Sequence, residues 1–138
     1  MRVSSRGRYA LRLMVAFARR FGEGYTPLRP LLEQENIPIK YGESIMAALS
    51  KAGLVEAASG KNGGYRLSRA PDALAAGDVL RVTEGDLKPV DCQSCDAACR
   101  NQRDCPVLPL WQGLESGIAG YLDGVTLGDM AAGKGDRE

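Results

Sequence analysis

From Arg6 to Phe21 the apolar residues Tyr9, Leu13, Phe17 and Phe21 recur every four positions, with Ala10 and Met14 beside them. That period marks one buried face of a helix, so the spacing predicts a first helix over 6–21. Ser4 or Ser5 stands where a helix cap belongs. Arg8, Arg12 and Arg19 fall on another side, which taken alone reads as a solvated face. Glu23-Gly24 ends the segment, and Thr26-Pro27 reads as cap and first helical position of a short second helix reaching Glu35. Pro30 falls in its first turn, where a missing N–H costs little. Asn36 breaks the pattern and Pro38 opens a third helix to about Ala52. Tyr41, Ile45, Ala48, Leu49 and Ala52 line its inner face, leaving Lys40, Glu43, Ser44, Ala47 and Lys51 outside. Two helices joined by a tight turn, the second with a short polar outer face, have the layout of a helix-turn-helix. A plain helical hairpin has the same periodicity.

The next stretch is more specific. Gly53 follows the third helix, then Leu54–Ser59, then the turn Gly60-Lys61-Asn62-Gly63-Gly64, then Tyr65-Arg66-Leu67. Strand, glycine-rich turn and strand predict a β-hairpin. Directly after a helix-turn-helix, such a hairpin is a wing, with Lys61 and Asn62 at its tip. The glycines do not open a helix and no G-x4-G-K-[ST] is present, so a phosphate-binding loop is excluded. A fourth helix is expected over 75–84, with Val79, Leu80 and Val82 apolar. Residues 85–105 are polar and aperiodic. A fifth helix is expected from Pro106, with Val107, Trp111, Leu114, Ile118 and Tyr121 in the 4-3-4-3 spacing of a paired-helix seam. Gly113, Gly117 and Gly120 lie alongside, which suits close approach of another helix. The seam fits a dimer interface better than burial within one chain. Thr126 is placed to cap a last turn over 127–131.

These elements predict a mainly α fold with a small β-hairpin wing: a winged helix-turn-helix plus a long dimerisation helix. Residues 1–84 are expected to bind DNA, 85–105 to form a cysteine-rich segment, and 106–138 to hold the dimerisation helix and tail. The 138 residues suffice for one ordinary core, and a 44% hydrophobic, 25% charged composition excludes wholesale disorder. No apolar run approaches the roughly 18 residues of a membrane span, and the arginine-interrupted start has no signal-peptide layout. A cytoplasmic protein is expected. The net charge of +1 hides an asymmetry: residues 1–69 carry 12 Lys+Arg and 5 Asp+Glu, residues 70–138 carry 6 and 12. A half at +7 points to a polyanion, since phosphate neutralisation releases counterions. Two complementary surfaces packing together would be the alternative.

With no histidine, Ser-His and Cys-His nucleophilic pairs and histidine metal ligands are excluded. The four cysteines, Cys92, Cys95, Cys99 and Cys105, fall within 14 residues as C-x2-C-x3-C-x5-C-P. Soft thiolates clustered in a polar segment suit an iron–sulfur cluster, zinc or a thiol switch. Two C-x2-C pairs would be more usual for zinc, and the run differs from the ferredoxin spacing.

Taken together, the chain resembles the winged-helix transcriptional regulators that include IscR, NsrR and CymR. The resemblance runs from Met1 to about Met130. It rests on RVSSRGRYALRLM, IPIKYGESIMAALSKAGLVEA, GKNGGYRLSRAP, AAGDVLRVTEG, the cysteine segment followed by Pro109-Leu110-Trp111, and TLGDM. It implies a homodimer on a double-stranded DNA operator, and no enzyme. It also implies a 2Fe–2S or 4Fe–4S cluster on Cys92, Cys99 and Cys105, with Cys95 an extra thiol; zinc-bound and cluster-free members are the alternatives. Where the IscR type has a histidine ligand three residues after its last cysteine, this chain has Leu108. Tyr41 and Glu43 match positions used near the start of the family's recognition helix. Lys40 replaces a small polar residue, and Ser59 stands where the IscR type places an arginine before the wing turn. The expected DNA-contacting set is therefore Arg6, Arg8, Lys40, Tyr41, Glu43, Ser44, Lys61, Asn62, Gly63 and Gly64. Rival readings are a small iron–sulfur electron carrier, which the wing argues against, and a winged module that binds protein, which the +7 half argues against.

Overall fold

The computed structural model describes residues 2–90 and 105–133. Helix α1 (Ser5–Ala18) starts under Ser4, whose hydroxyl accepts from the Gly7 N–H at 3.1 Å. It ends earlier than its periodicity predicts. The last turn tightens into bonds from Arg20 N–H to the Phe17 carbonyl and from Phe21 N–H to the Ala18 carbonyl. Phe21 therefore lies past the helix and is 48% exposed, whereas Leu13, Met14 and Phe17 are buried.

Helix α2 (Leu28–Glu35) and helix α3 (Ile39–Lys51) form the helix-turn-helix. Asn36 takes a left-handed conformation at φ 58°, and the Ile37 N–H returns to the Leu32 carbonyl at 2.9 Å, closing α2. Ile45, Met46 and Leu49 are the buried face of α3. Met46 was not part of the predicted inner face, and Ala52, which was, is exposed just past the helix end. Thr26 does not cap α2, because Pro27 holds that place. Instead Thr26 exchanges both backbone hydrogen bonds with Tyr65, at 2.8 and 2.9 Å.

Strands β1 (Val55–Ala58) and β2 (Gly64–Leu67) pair antiparallel, with Val55 opposite Leu67 and Ala58 opposite Gly64. The bridge from Thr26 ties this wing to the start of α2. Helix α4 (Ala76–Glu84) follows, opened by the Asp78 carboxylate accepting from the Ala75 N–H at 2.9 Å. Helix α5 (Leu108–Gly124) starts two residues beyond Pro106, after a turn bonded from Leu108 N–H to the Cys105 carbonyl. Helix α6 (Leu127–Ala131) has the expected cap, with the Thr126 hydroxyl accepting from the Asp129 N–H at 2.9 Å.

One core joins these elements: Leu13, Met14 and Phe17 of α1, Leu31 and Leu32, Ile45, Met46 and Leu49, Leu74, Val79 and Leu127. Leu127 is fully buried, and the bridge between Ala75 and Thr126 draws α6 back against α1. Helix α5 packs along α4 and has no fully buried residue among those described. Among the described residues no helix is long and apolar enough to cross a membrane.

Candidate nucleic-acid interface

Packing of α3 through Ile45, Met46 and Leu49 turns Lys40, Glu43, Ser44, Ala47 and Lys51 outward. These positions recur at three- and four-residue steps and so form one strip along the helix. Tyr41 is half-buried at the edge, its ring edge-on to Tyr9 with centroids 5.5 Å apart. Gly42 faces α2, where a β-carbon would overlap the Leu32 side chain. The close crossing of the two helices depends on that absence, which sets the height of the strip above the core.

The predicted cations divide by what holds them. Lys40 and Lys61 are exposed, and Arg8 is exposed with one long hydrogen bond to the Ser5 hydroxyl at 3.4 Å. Arg6 is engaged, donating to the Ser44 hydroxyl at 3.0 Å and the Ser44 carbonyl at 3.5 Å. Arg12 is exposed, as a solvated face expects, but it is also paired. It pairs with the Glu35 carboxylate at 3.1 Å, donates to the Glu35 carbonyl, and lies over the Tyr9 ring. It thereby braces α1 against the end of α2. Arg19 makes one long hydrogen bond to the Ala131 carbonyl, at 3.4 Å.

In the wing, Lys61 and Asn62 occupy the exposed tip between Gly60 and Gly63. Gly64 holds φ +140° with the Thr26 carbonyl where a β-carbon would stand, so its role is to let the Thr26 bridge close. Arg66 reads in the sequence only as a residue of the second strand. It stacks over Tyr25 at 4.4 Å and binds the Glu56 carboxylate at 2.9 Å, stiffening the outer side of the hairpin. The Arg66↔Glu56 register is readable once the hairpin is paired, but the Tyr25 contact is not.

Helix α5 presents Val107, Leu110, Leu114 and Tyr121, with Leu114 44% and Tyr121 64% exposed. Trp111 and Ile118 of the expected seam are half-buried. An apolar groove of about 480 Å³ runs between α5 and Val3 and Leu80, floored by Gly113 and Gly117. The C-terminal end of α5 is held by a two-pronged ion pair from Arg81 on α4 to Asp123, at 2.7 and 2.9 Å. The Arg81 hydrogen bond lowers the Asp123 pKa, opposed by a smaller desolvation effect.

Cys105 is half-buried just ahead of α5. Cys92, Cys95 and Cys99 lie outside the described residues, and among the described residues no group of three His, Cys, Asp or Glu is placed to hold a metal ion.

This fold and face match known proteins along almost the whole chain. Residues 3–133 match the family model Rrf2, described as an iron-dependent transcriptional regulator. The chain belongs to the Rrf2 family. Among its Rrf2 relatives is the HTH-type transcriptional regulator CymR of Bacillus subtilis (strain 168), 35% identical over 132 residues covering 96% of this chain and 91% of that protein. The HTH-type transcriptional regulator IscR of Aliivibrio salmonicida is also 35% identical, over 94% of this chain and 77% of that protein. The solved structure of B. subtilis CymR, titled the global cysteine regulator, superposes with a TM-score of 0.78 over 96% of this chain and 97% of that one. That of T. potens IscR does so at 0.77 with 33% identity, over 96% and 88%. The winged-helix fold is thereby established, and the chain is a transcriptional regulator of the Rrf2 family, not an enzyme.

Proposed function

We propose that this Rrf2 protein is a cytoplasmic homodimer that binds a pseudo-palindromic double-stranded DNA operator and changes its affinity through the cysteine segment. The observation that carries the DNA reading is the α3 strip of Lys40, Glu43, Ser44, Ala47 and Lys51, turned outward by a buried opposite face and flanked by the wing tip. A helix with such a strip fits a major groove, and Lys61 and Asn62 reach the flanking backbone or minor groove. Glu43, an acceptor only, suits the amino group of cytosine. Arg8 and Lys40 supply phosphate attraction, while Arg6 serves through Ser44. Dimerisation is assigned to α5, along which Val107, Leu110, Leu114 and Tyr121 are exposed. Residues 1–84 then read DNA, 85–105 sense, and 106–138 pair the subunits.

For the sensing group, the chemistry of the donor set supports one reading first. Four thiolates and no histidine fit an iron–sulfur cluster on Cys92, Cys99 and Cys105, with Cys95, the remaining thiol, or another oxygen or nitrogen donor for the place that Leu108 cannot fill. When bound, the cluster would supply a redox- and iron-sensitive set of thiolate bonds. Equal identity to CymR and IscR keeps a second reading in view, in which the same thiols act through zinc or through their own oxidation.

Selection of duplexes from a randomised pool tests the DNA reading. Wild-type protein should enrich a motif with two-fold symmetry, and Glu43→Ala should lose discrimination at one base pair per half-site. Failure to enrich any motif from an iron-replete, anaerobic preparation and from a metal-free one would refute it.

A further inference from the structure

Ser4 and Glu84 are 80 positions apart and meet at the first turn of α1. The Glu84 carboxylate accepts from the Ser4 N–H at 3.1 Å and from the Ser4 hydroxyl at 2.7 Å. The same hydroxyl accepts from the Gly7 N–H, so one side chain joins the helix cap to the end of α4. Gly7 permits this approach, because a β-carbon there would stand 2.6 Å from Glu84 Oε2. Burial pushes the Glu84 pKa up. The bonds from Ser4, a bond from Thr83 and the Arg6 charge together outweigh it, and the carboxyl titrates below its ordinary value.

Arg6, two residues past the cap, reaches the opposite way to Ser44 on α3. A guanidinium N–H on the Ser44 oxygen occupies one acceptor position and leaves the hydroxyl's proton to point elsewhere. On the exposed strip the remaining direction is outward, toward an acceptor such as purine N7, guanine O6 or thymine O4.

We propose that Glu84 and Ser4 are positioning residues for DNA recognition: by clasping the first turn of α1 they aim Arg6 at Ser44, which then offers its hydroxyl proton to an acceptor on a base edge. The inference rests on α3 being the recognition helix. Glu84 touches no base in this arrangement. It acts through Ser4 and Arg6, and it closes α4 where the chain passes to Gly85 and the cysteine segment.

The test uses a duplex enriched by wild-type protein from a randomised pool and an unselected duplex of equal length, with affinities read by fluorescence anisotropy at one salt concentration. Glu84→Gln and Ser44→Ala should each weaken the selected duplex about tenfold, the scale of one lost base contact. Each should change the unselected duplex less than twofold. The double variant should lose no more than either single one, because both break one unit. Ser44 is exposed, so its variant keeps the fold, and the charge-neutral Ser4→Ala repeats the comparison if Glu84→Gln melts early. Equal losses on both duplexes, or losses that multiply, would show that Glu84 serves stability alone and overturn the proposal. A wild-type protein that enriches no duplex overturns the recognition reading and the proposal together, an outcome separate from the variant pattern.

Discussion

Gly64 and Glu43 show how differently single residues serve this molecule. At Gly64 the backbone holds φ +140° and the Thr26 carbonyl fills the space of a β-carbon. Gly64→Ala should therefore cost about 1–3 kcal/mol in urea unfolding, through strain and loss of the Thr26 bridge. Glu43 is exposed, so Glu43→Ala should leave the melt unchanged while reducing discrimination at one base pair by about 1–3 kcal/mol in competition binding. Leu49, fully buried, should cost about 2–5 kcal/mol as alanine, with no preference among duplexes that remain bound. Residue type and local spacing showed the sequence analysis that Leu49 is core and Lys61 a wing tip. They did not show that Arg12 braces Glu35, or that Arg6 holds Ser44, because those partners lie 23 and 38 positions away. Arginines on one predicted helix face look alike until the fold chooses their partners.

Among the elements, α3 was legible almost to the residue, since Pro38, a broken pattern at Asn36 and a clear inner face all agree. The end of α1 was not. Phe21 keeps the four-residue period, but the core ends at Phe17, and nothing in the period records where a core ends. Thr26 misled for a related reason: a threonine before a proline suits a helix cap, and the long-range pairing with Tyr65 took precedence. For α5 the helix was legible and its link to α4 was not; the seam expected along it is Val107, Trp111, Leu114, Ile118 and Tyr121. If that seam pairs two subunits, Leu114→Glu together with Tyr121→Asp should shift the mass in light scattering from dimer to monomer while the helical circular dichroism persists. A dimer that survives both changes would move the interface elsewhere. The Arg81–Asp123 link carries a pH dependence of definite sign. The Asp123 pKa is lower in the folded chain than in the unfolded one, so the link's contribution is complete above the ordinary aspartate range. It is lost as pH falls through the lowered value. Acid should loosen α5 in wild-type protein, and Asp123→Asn should remove that part of the acid dependence in hydrogen exchange.

At the scale of the whole molecule, the charge division of +7 and −6 follows the order of the elements. The basic half contains the helix-turn-helix and wing, and the acidic half contains α4, the cysteine segment and α5. Family membership was carried by collinear sequence blocks and is borne out along residues 3–133. Ligation could not be read in the same way, since three of the four thiols lie outside the described residues and relatives named CymR and IscR match equally well. Anaerobic purification with iron, sulfide and zinc analysis separates these readings. The cluster reading expects iron with matching sulfide and a broad visible absorption, abolished by Cys105→Ala. Stoichiometric zinc in colourless protein would make the segment a structural site.

The central claim is that the basic half grips a duplex and α3 reads it. The most direct test titrates wild-type protein with its enriched duplex and an unselected one over a series of salt concentrations. Affinity for both should fall steeply, with a log–log slope of about −0.9 per phosphate contacted, and Lys40→Ala or Lys61→Ala should each reduce that slope by about one contact. The enriched duplex should stay tighter at every salt concentration. A flat salt dependence, or equal affinity for the two duplexes throughout, would contradict the account.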